Sequence, residues 1–236
     1  MESSPALTAG HAHRRISRPV MAAGLIAAVL AGLAIGFVAH LVLSPGRSAQ
    51  PVPAPTAAGL RGEATWAAEV RPAPNITTLR DQSGRLFSLS SLRGHTVVME
   101  FFDSHCHQEC PLAGRALAAA ERALPAAQRP VLVVVSVNPL DTAASARAAA
   151  REWGLAGVAP WHWLMGSHAR LALVWRRYRI YVHPERGDIS HTEALYLIDR
   201  HGDERSGYLY PYLPGSVTHD LHVLASPAGA GSRRHV

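Results

Sequence analysis

Residues 101–114, FFDSHCHQECPLAG, hold both cysteines of the 236-residue chain, Cys106 and Cys110, set four apart beside two histidines. The apolar run TVVMEFF predicts a strand over 96–102. The segment PLAGRALAAAERAL predicts a helix by its Ala and Leu content, with Pro111 in the favoured first turn. A loop between a central strand and the helix that follows it is where open α/β sheets carry their sites. If the segment from Cys106 is already helical, positions four apart share a face with Cβ atoms about 5–6 Å apart. Two sulfurs so placed can hold one metal ion or join as a disulfide. The start of a helix also favours thiolate, the form that binds metal and attacks disulfides. A structural disulfide closing so small a ring constrains the unfolded chain weakly, so the pair points to chemistry rather than to stapling.

Outward from this stretch, strand and helix signals alternate. PVLVVVSV is a continuous β-branched run of the kind that fills a sheet covered on both faces. DTAASARAAAREWG opens with Asp141 and Thr142 as capping candidates and stops at Gly154, which predicts a helix. WHWLMG reads as a short strand and SHARLALVWRRYRI as a third helix capped by Ser167. ALYLIDRHGDERSGYLY predicts two strands about a turn at 200–203, followed by a last helix near 216–224. Strands interleaved with helices argue for an α/β sandwich with a central sheet, partly parallel and made mixed by the final hairpin.

Residues 20–43, VMAAGLIAAVLAGLAIGFVAHLVL, are 24 positions without a formal charge. At about 1.5 Å rise each they span a hydrocarbon core of roughly 30 Å, which predicts one transmembrane helix. A cleavable signal peptide is the competing reading, but its apolar region runs only about 7–15 residues and no small-x-small site follows here. Arg14, Arg15 and Arg18 precede the run and only Arg47 stands close behind it, which sets 1–19 in the cytoplasm and the rest outside, on the periplasmic side. Residues 44–65, rich in Pro, Ala and Gly, predict a flexible linker, 66–227 one folded domain, and 228–236 a disordered tail. Of the net charge of +6, all but +1 lies in the ends, because 66–227 carries 16 Arg against 15 acidic residues. No basic face for nucleic acid is expected on the domain.

Two soft sulfurs leave a metal ion under-coordinated, so the domain should offer a third donor. Of 14 histidines, His191 stands out by position, just before the strand predicted over 194–198 and expected beside the strand that carries the cysteines. His105 and His107 adjoin the thiols, but a residue next to a ligand often points away, and both read first as solvated loop histidines. His162, His168 and His183 read as ordinary surface or half-buried groups.

With these motifs in place, the chain resembles the Sco/SenC copper chaperones, membrane-tethered thioredoxin-like proteins associated with copper delivery to cytochrome c oxidase. FFDSHCHQECP is similar to that family's strand followed by CxxxCP, VVVSVNPLDT to its second strand and turn, and VWRRYRIYV to its R-x-Y-x-V-type helix end. ISHTEALYLIDRHGD resembles the strand that brings the metal-binding histidine. The resemblance implies a thioredoxin-like domain with a central mixed sheet flanked by helices, with Cys106 and Cys110 as thiolate ligands and His191 as imidazole ligand of copper. The chain departs from the pattern at His107, where the family commonly has Pro, at Asn138, where it commonly has Asp, and at Ser190, which takes the place of Asp before the histidine; His107 could compete as a ligand. Two thiolates with one imidazole suit Cu(I), and Cu(II) if a further ligand joins, whereas zinc usually wants four ligands.

The resulting expectation is a membrane-anchored, extracytoplasmic copper-binding protein that passes its ion to a respiratory oxidase subunit or another copper acceptor. The alternative is a thiol-disulfide oxidoreductase in which Cys106 and Cys110 reduce partner cysteines for metal insertion. Against that alternative, the spacing is C-x-x-x-C rather than C-x-x-C and DISHTEAL lacks a proline before the strand. A peroxidase of the same fold normally carries Pro and Thr ahead of its cysteine, which DSHC lacks.

Overall fold

The computed structural model describes residues 59–226. The predicted cytoplasmic segment 1–19, transmembrane helix 20–43 and tail 228–236 lie outside the described residues, within which no helix is long and apolar enough to cross a membrane. The central strand β2 (Val97–Phe102) is buried at every position, its five apolar side chains carrying a single buried carboxyl, Glu100, into the core with them. It pairs in parallel with β3 (Val131–Ser136), and β3 pairs in parallel with β4 (Trp161–Leu164). On its other side β2 pairs antiparallel with β7 (Ala194–Ile198), which continues antiparallel to β8 (Glu204–Leu209) and to the two-residue β1 (Ala64–Thr65). The result is a six-stranded sheet in the order β1-β8-β7-β2-β3-β4, mixed and partly parallel as the alternating signals imply.

Strand periodicity divides the core between the two faces of the sheet. Val98 and Phe102 of β2, with Leu132 and Val134 of β3, meet helices α1 (Glu109–Arg122), α2 (Ala143–Glu152) and α4 (Pro214–Ala225). Val97, Met99 and Phe101, with Val133 and Val135, meet α3 (His168–Tyr178) and the chain that leads in from Ile76 to Leu89. Trp153 fixes the approach of α1 to this core. It sits edge-on to Phe102 with ring centroids 5.4 Å apart, and a Cβ on Gly114 would come within 3.0 Å of its own Cβ, so α1 needs glycine there.

The caps show how side-chain chemistry is shared out. Thr142 caps α2 and forms a reciprocal capping box with Ser145, the Ser145 N–H donating to Thr142 Oγ1 at 3.1 Å and the Thr142 N–H to Ser145 Oγ at 2.9 Å. Asp141, the other capping candidate, is turned inward instead, where its carboxylate collects donors from the sheet and from the cysteine loop. Ser167 occupies the cap position of α3 but makes no side-chain cap bond. The expected linker boundary at 65 is corrected: Ala64 and Thr65 pair with Gly207 and Ser206, and the Arg61 N–H donates to the buried Asp220 carboxylate at 2.9 Å. The ordered fold therefore begins before Trp66.

One further element is not anticipated by the sequence reading. A two-stranded hairpin, β5 (Val182–Glu185) with β6 (Asp188–His191), stands apart from the main sheet and turns at Gly187, whose φ of +81° glycine tolerates without strain. Its strands are short, largely exposed and interrupted by Pro184, so they lack an apolar period.

Two outcomes test this packing. Trp153→Ala is expected to cost about 3–5 kcal/mol in chemical denaturation, the range for a large buried aromatic. Glu121, fully buried on α1 without a hydrogen-bond partner, has its carboxyl pushed up to about 8 by burial, which the Arg129 and Arg122 charges offset in part. Its folded pKa lies above the unfolded value, so the stability it permits is complete in acid and is lost as pH rises towards 8. The Tm of Glu121→Gln is therefore expected to fall less than that of the wild type between pH 5 and pH 9.

Candidate metal centre

The loop that leaves β2 turns at once. The Cys106 N–H donates to the Asp103 carbonyl at 3.2 Å and the His105 N–H to Asp103 Oδ1 at 2.8 Å. Cys106 is therefore not yet helical. It lies in the turn ahead of α1, while Cys110 lies in the helix's first turn and is 1% exposed. Asp141 anchors the loop from below, accepting from Ser104 Oγ at 2.5 Å, Ser136 Oγ at 2.6 Å and Trp163 Nε1 at 3.2 Å. Burial raises the Asp141 pKa, and these donors work against that rise. Asn138 donates to Asp103 Oδ1 at 3.0 Å, so the amide found where the resembling family commonly has a carboxylate is bonded into the base of the loop.

The two thiols are both free and are electrostatically unlike. A hydrogen bond from the Cys110 side chain brings the Cys106 thiol down to about 6, against the opposing effect of burial, and the backbone N–H groups of Gln108, Cys110 and Glu109 help. This is a thiolate settled at a helix N-terminus. Cys110, which donates to it and is itself buried, is held far above the usual thiol range. One proton is thus shared by the pair, with the charge on the more accessible sulfur.

His191 ends β6 and enters from the far side. Its Nε2 lies 4.0 Å from Cys110 Sγ, and its Nδ1 is 3.2 Å from the Thr192 carbonyl, an arrangement in which Nδ1–H donates and leaves the Nε2 lone pair facing the sulfur. Burial lowers the His191 pKa, which keeps the ring neutral and able to coordinate. The residue chosen from sequence by position is therefore the one that the fold brings beside Cys110. His105 is turned away to Asp141 Oδ1 at 3.2 Å, and His107 is exposed. His162 faces Asp81 at 3.3 Å, His168 lies edge-on to Trp175, and His183 stacks on Tyr181.

Glu193 also reaches this place. Donor atoms of Cys110, His191 and Glu193 all lie within 4.8 Å of one another. Sequence reasoning passed over this residue, although its spacing of two from His191 was legible as a candidate pair on one side of an extended chain. A cleft of about 180 Å³ gathers Cys106, His191 and Glu193 with Glu109, Glu185 and Asp188 at its mouth. A larger cavity of about 520 Å³ runs under the hairpin between Asn138, Trp175 and Ile189, and contains neither sulfur. The chemistry belongs to the smaller cleft, where the Cys106 sulfur, a neutral imidazole and surplus negative charge suit a thiophilic cation, with Cys110 buried beside it.

Residues 77–226 match the family described as SCO1/SenC. The copper-bound structure of ScoI from Bradyrhizobium japonicum is 25% identical with a TM-score of 0.54, and the match covers 65% of this chain and 99% of that one. A SCO1/SenC family lipoprotein from Bacillus anthracis is 23% identical with a TM-score of 0.57, covering 66% and 96%. BsSco, described with a disulfide switch and as a member of the Sco family of cytochrome c oxidase assembly proteins, is 19% identical with a TM-score of 0.57, covering 66% and 95%. No curated protein sequence matches the chain. The α/β architecture and a family match over more than half of the sequence lead to one conclusion: this chain belongs to the SCO1/SenC family.

Proposed function

We propose that this chain is a membrane-anchored, extracytoplasmic copper-binding protein that delivers its ion to a respiratory oxidase during cytochrome c oxidase assembly. In this reading Cys106, Cys110 and His191 hold the copper, residues 20–43 anchor the chain and 44–58 tether the domain. The observation that carries it is the approach of His191 Nε2 to within 4.0 Å of Cys110 Sγ, beside a second sulfur already poised as thiolate. Copper in the Bradyrhizobium relative and the lipoprotein character of the Bacillus one support cargo and anchoring respectively.

A direction of transfer is supported by the unequal exposure of the two sulfurs. Cys106 is half-buried at the cleft mouth while Cys110 is enclosed, so an incoming acceptor thiolate meets the Cys106 side first. Copper then moves by ligand exchange, with Cys106 replaced before Cys110 and His191. The free acids at the mouth draw a cation in and favour an acceptor surface of positive charge.

A second reading rests on the unlike thiols. An accessible thiolate beside a buried, protonated partner is the arrangement of an attacking and a resolving cysteine, and BsSco is described with a disulfide switch. The same pair would then reduce acceptor cysteines before loading them. In that reaction two thiols are oxidised to one disulfide as the partner's disulfide takes up two electrons and two protons.

Two experiments follow, both on the full-length chain in detergent. In competition with a Cu(I) chelator, Cys110→Ser and His191→Ala are each expected to lose more affinity than the roughly 10- to 100-fold typical of a lost outer-shell partner. Full affinity in both variants would overturn the copper reading. Alkylation of the reduced, metal-free protein is expected to modify Cys106 alone, with a midpoint near pH 6 rather than near the usual 8.5, the rate falling in acid as the thiolate takes a proton. Rapid turnover of a model disulfide by metal-free protein, unaffected by His191→Ala, would favour the oxidoreductase.

A further inference from the structure

We infer that the Glu193 carboxylate is a fourth donor of the metal centre, one that coordinates divalent ions and releases when copper is Cu(I). The inference rests on the copper reading above and adds a residue that the three-ligand set does not include. Its basis is convergence: Glu193 places a carboxylate oxygen, with Cys110 Sγ and a ring nitrogen of His191, in a group whose atoms lie within 4.8 Å of one another. The backbone fixes it there from both sides. The Tyr210 N–H donates to the Glu193 carbonyl at 2.9 Å, and the preceding Thr192 is turned to Tyr181, whose N–H donates to Thr192 Oγ1 at 3.2 Å. Among the described residues no Arg or His forms an ion pair with Glu193, so its charge is left for something in the cleft.

Charge and donor chemistry decide which ion uses the fourth position. Two thiolates and a carboxylate bring three negative charges, so a divalent ion leaves the centre at −1 and Cu(I) would leave it at −2. In a partly buried cleft the second arrangement is the costlier, and Cu(I) is content with two sulfurs and one imidazole. A carboxylate oxygen is a hard donor that suits Cu(II), and a fourth ligand also completes the tetrahedral set that zinc prefers. Glu193 therefore works as a selector of oxidation state, strengthening the hold on Cu(II) relative to Cu(I). When the ion bound is Cu(I), the carboxylate stands off and the two sulfurs and the imidazole hold the cargo alone.

The test compares wild type, Glu193→Gln, Glu193→Asp and His191→Ala as full-length proteins in detergent. Affinities for Cu(I), Cu(II) and Zn(II) are measured by chelator competition, and the Cu(II) forms are examined by electron paramagnetic resonance. Zn(II) serves as the divalent probe that does not oxidise the thiolates. Glu193→Gln is expected to lose at least tenfold more affinity for Zn(II) and Cu(II) than for Cu(I) and to shift the copper hyperfine splitting. Glu193→Asp, which keeps the charge on a shorter arm, is expected to fall between the two. Equal losses for all three ions, or an unchanged spectrum with unchanged divalent affinities, would overturn the assignment. If His191→Ala also kept every affinity, the copper reading would fall with it, whereas a loss in His191→Ala beside a silent Glu193→Gln would remove the fourth donor alone.

Discussion

The antiparallel pairing of β7 with β2 is the constraint on which the site depends. Val97 faces Ile198, Val98 faces Leu197 and Met99 faces Tyr196, so the start of β7 falls beside the end of β2. Carried on in the same register, the residues just ahead of β7 come level with the loop just after β2. One of these segments carries His191 and Glu193, the other Cys106 and Cys110. Groups about eighty positions apart in the chain thus meet because two central strands run in opposite directions, and both strands are held by the core on either face.

The environment then differentiates groups that are chemically alike. Cys106 gains from the neighbouring thiol and from helix N–H groups, while Cys110, which donates to it and is buried, keeps its proton. His191 is made neutral by burial, whereas His105, only one residue from Cys106, is drawn off by Asp141. Asp141 itself is spent on orienting the loop, tying Ser104 to β3 through Ser136 and to β4 through Trp163. The metal-facing donors are those left over once the hydrogen-bond needs of the loop are met.

Much of this was legible in the sequence where the signal was long or chemically restricted. The buried runs at β2 and β3 and the Ala-rich α2 have no comparable competing reading, and two cysteines in 236 residues mark one place. The hairpin β5–β6 was not legible, because four-residue strands with alternating exposure and a proline offer no apolar face to read. Its loss mattered little to the choice of His191, which followed from the neighbouring strand β7. Asp141 read as a cap because cap preference is local, while its actual partners come from strands β3 and β4 and from the cysteine loop. Glu193 was overlooked for a related reason: its spacing of two from His191 places both on one side of an extended chain, but what that side faces is set only by the strand's neighbour.

The central claim is that two sulfurs and one distant imidazole share a single copper ion. X-ray absorption spectroscopy of the reduced, full-length protein loaded with one equivalent of Cu(I) addresses it most directly. The account predicts a first shell of two sulfur scatterers and one nitrogen, with the outer-shell pattern of an imidazole that disappears in His191→Ala. A shell of sulfur alone, or one without any sulfur, would contradict it.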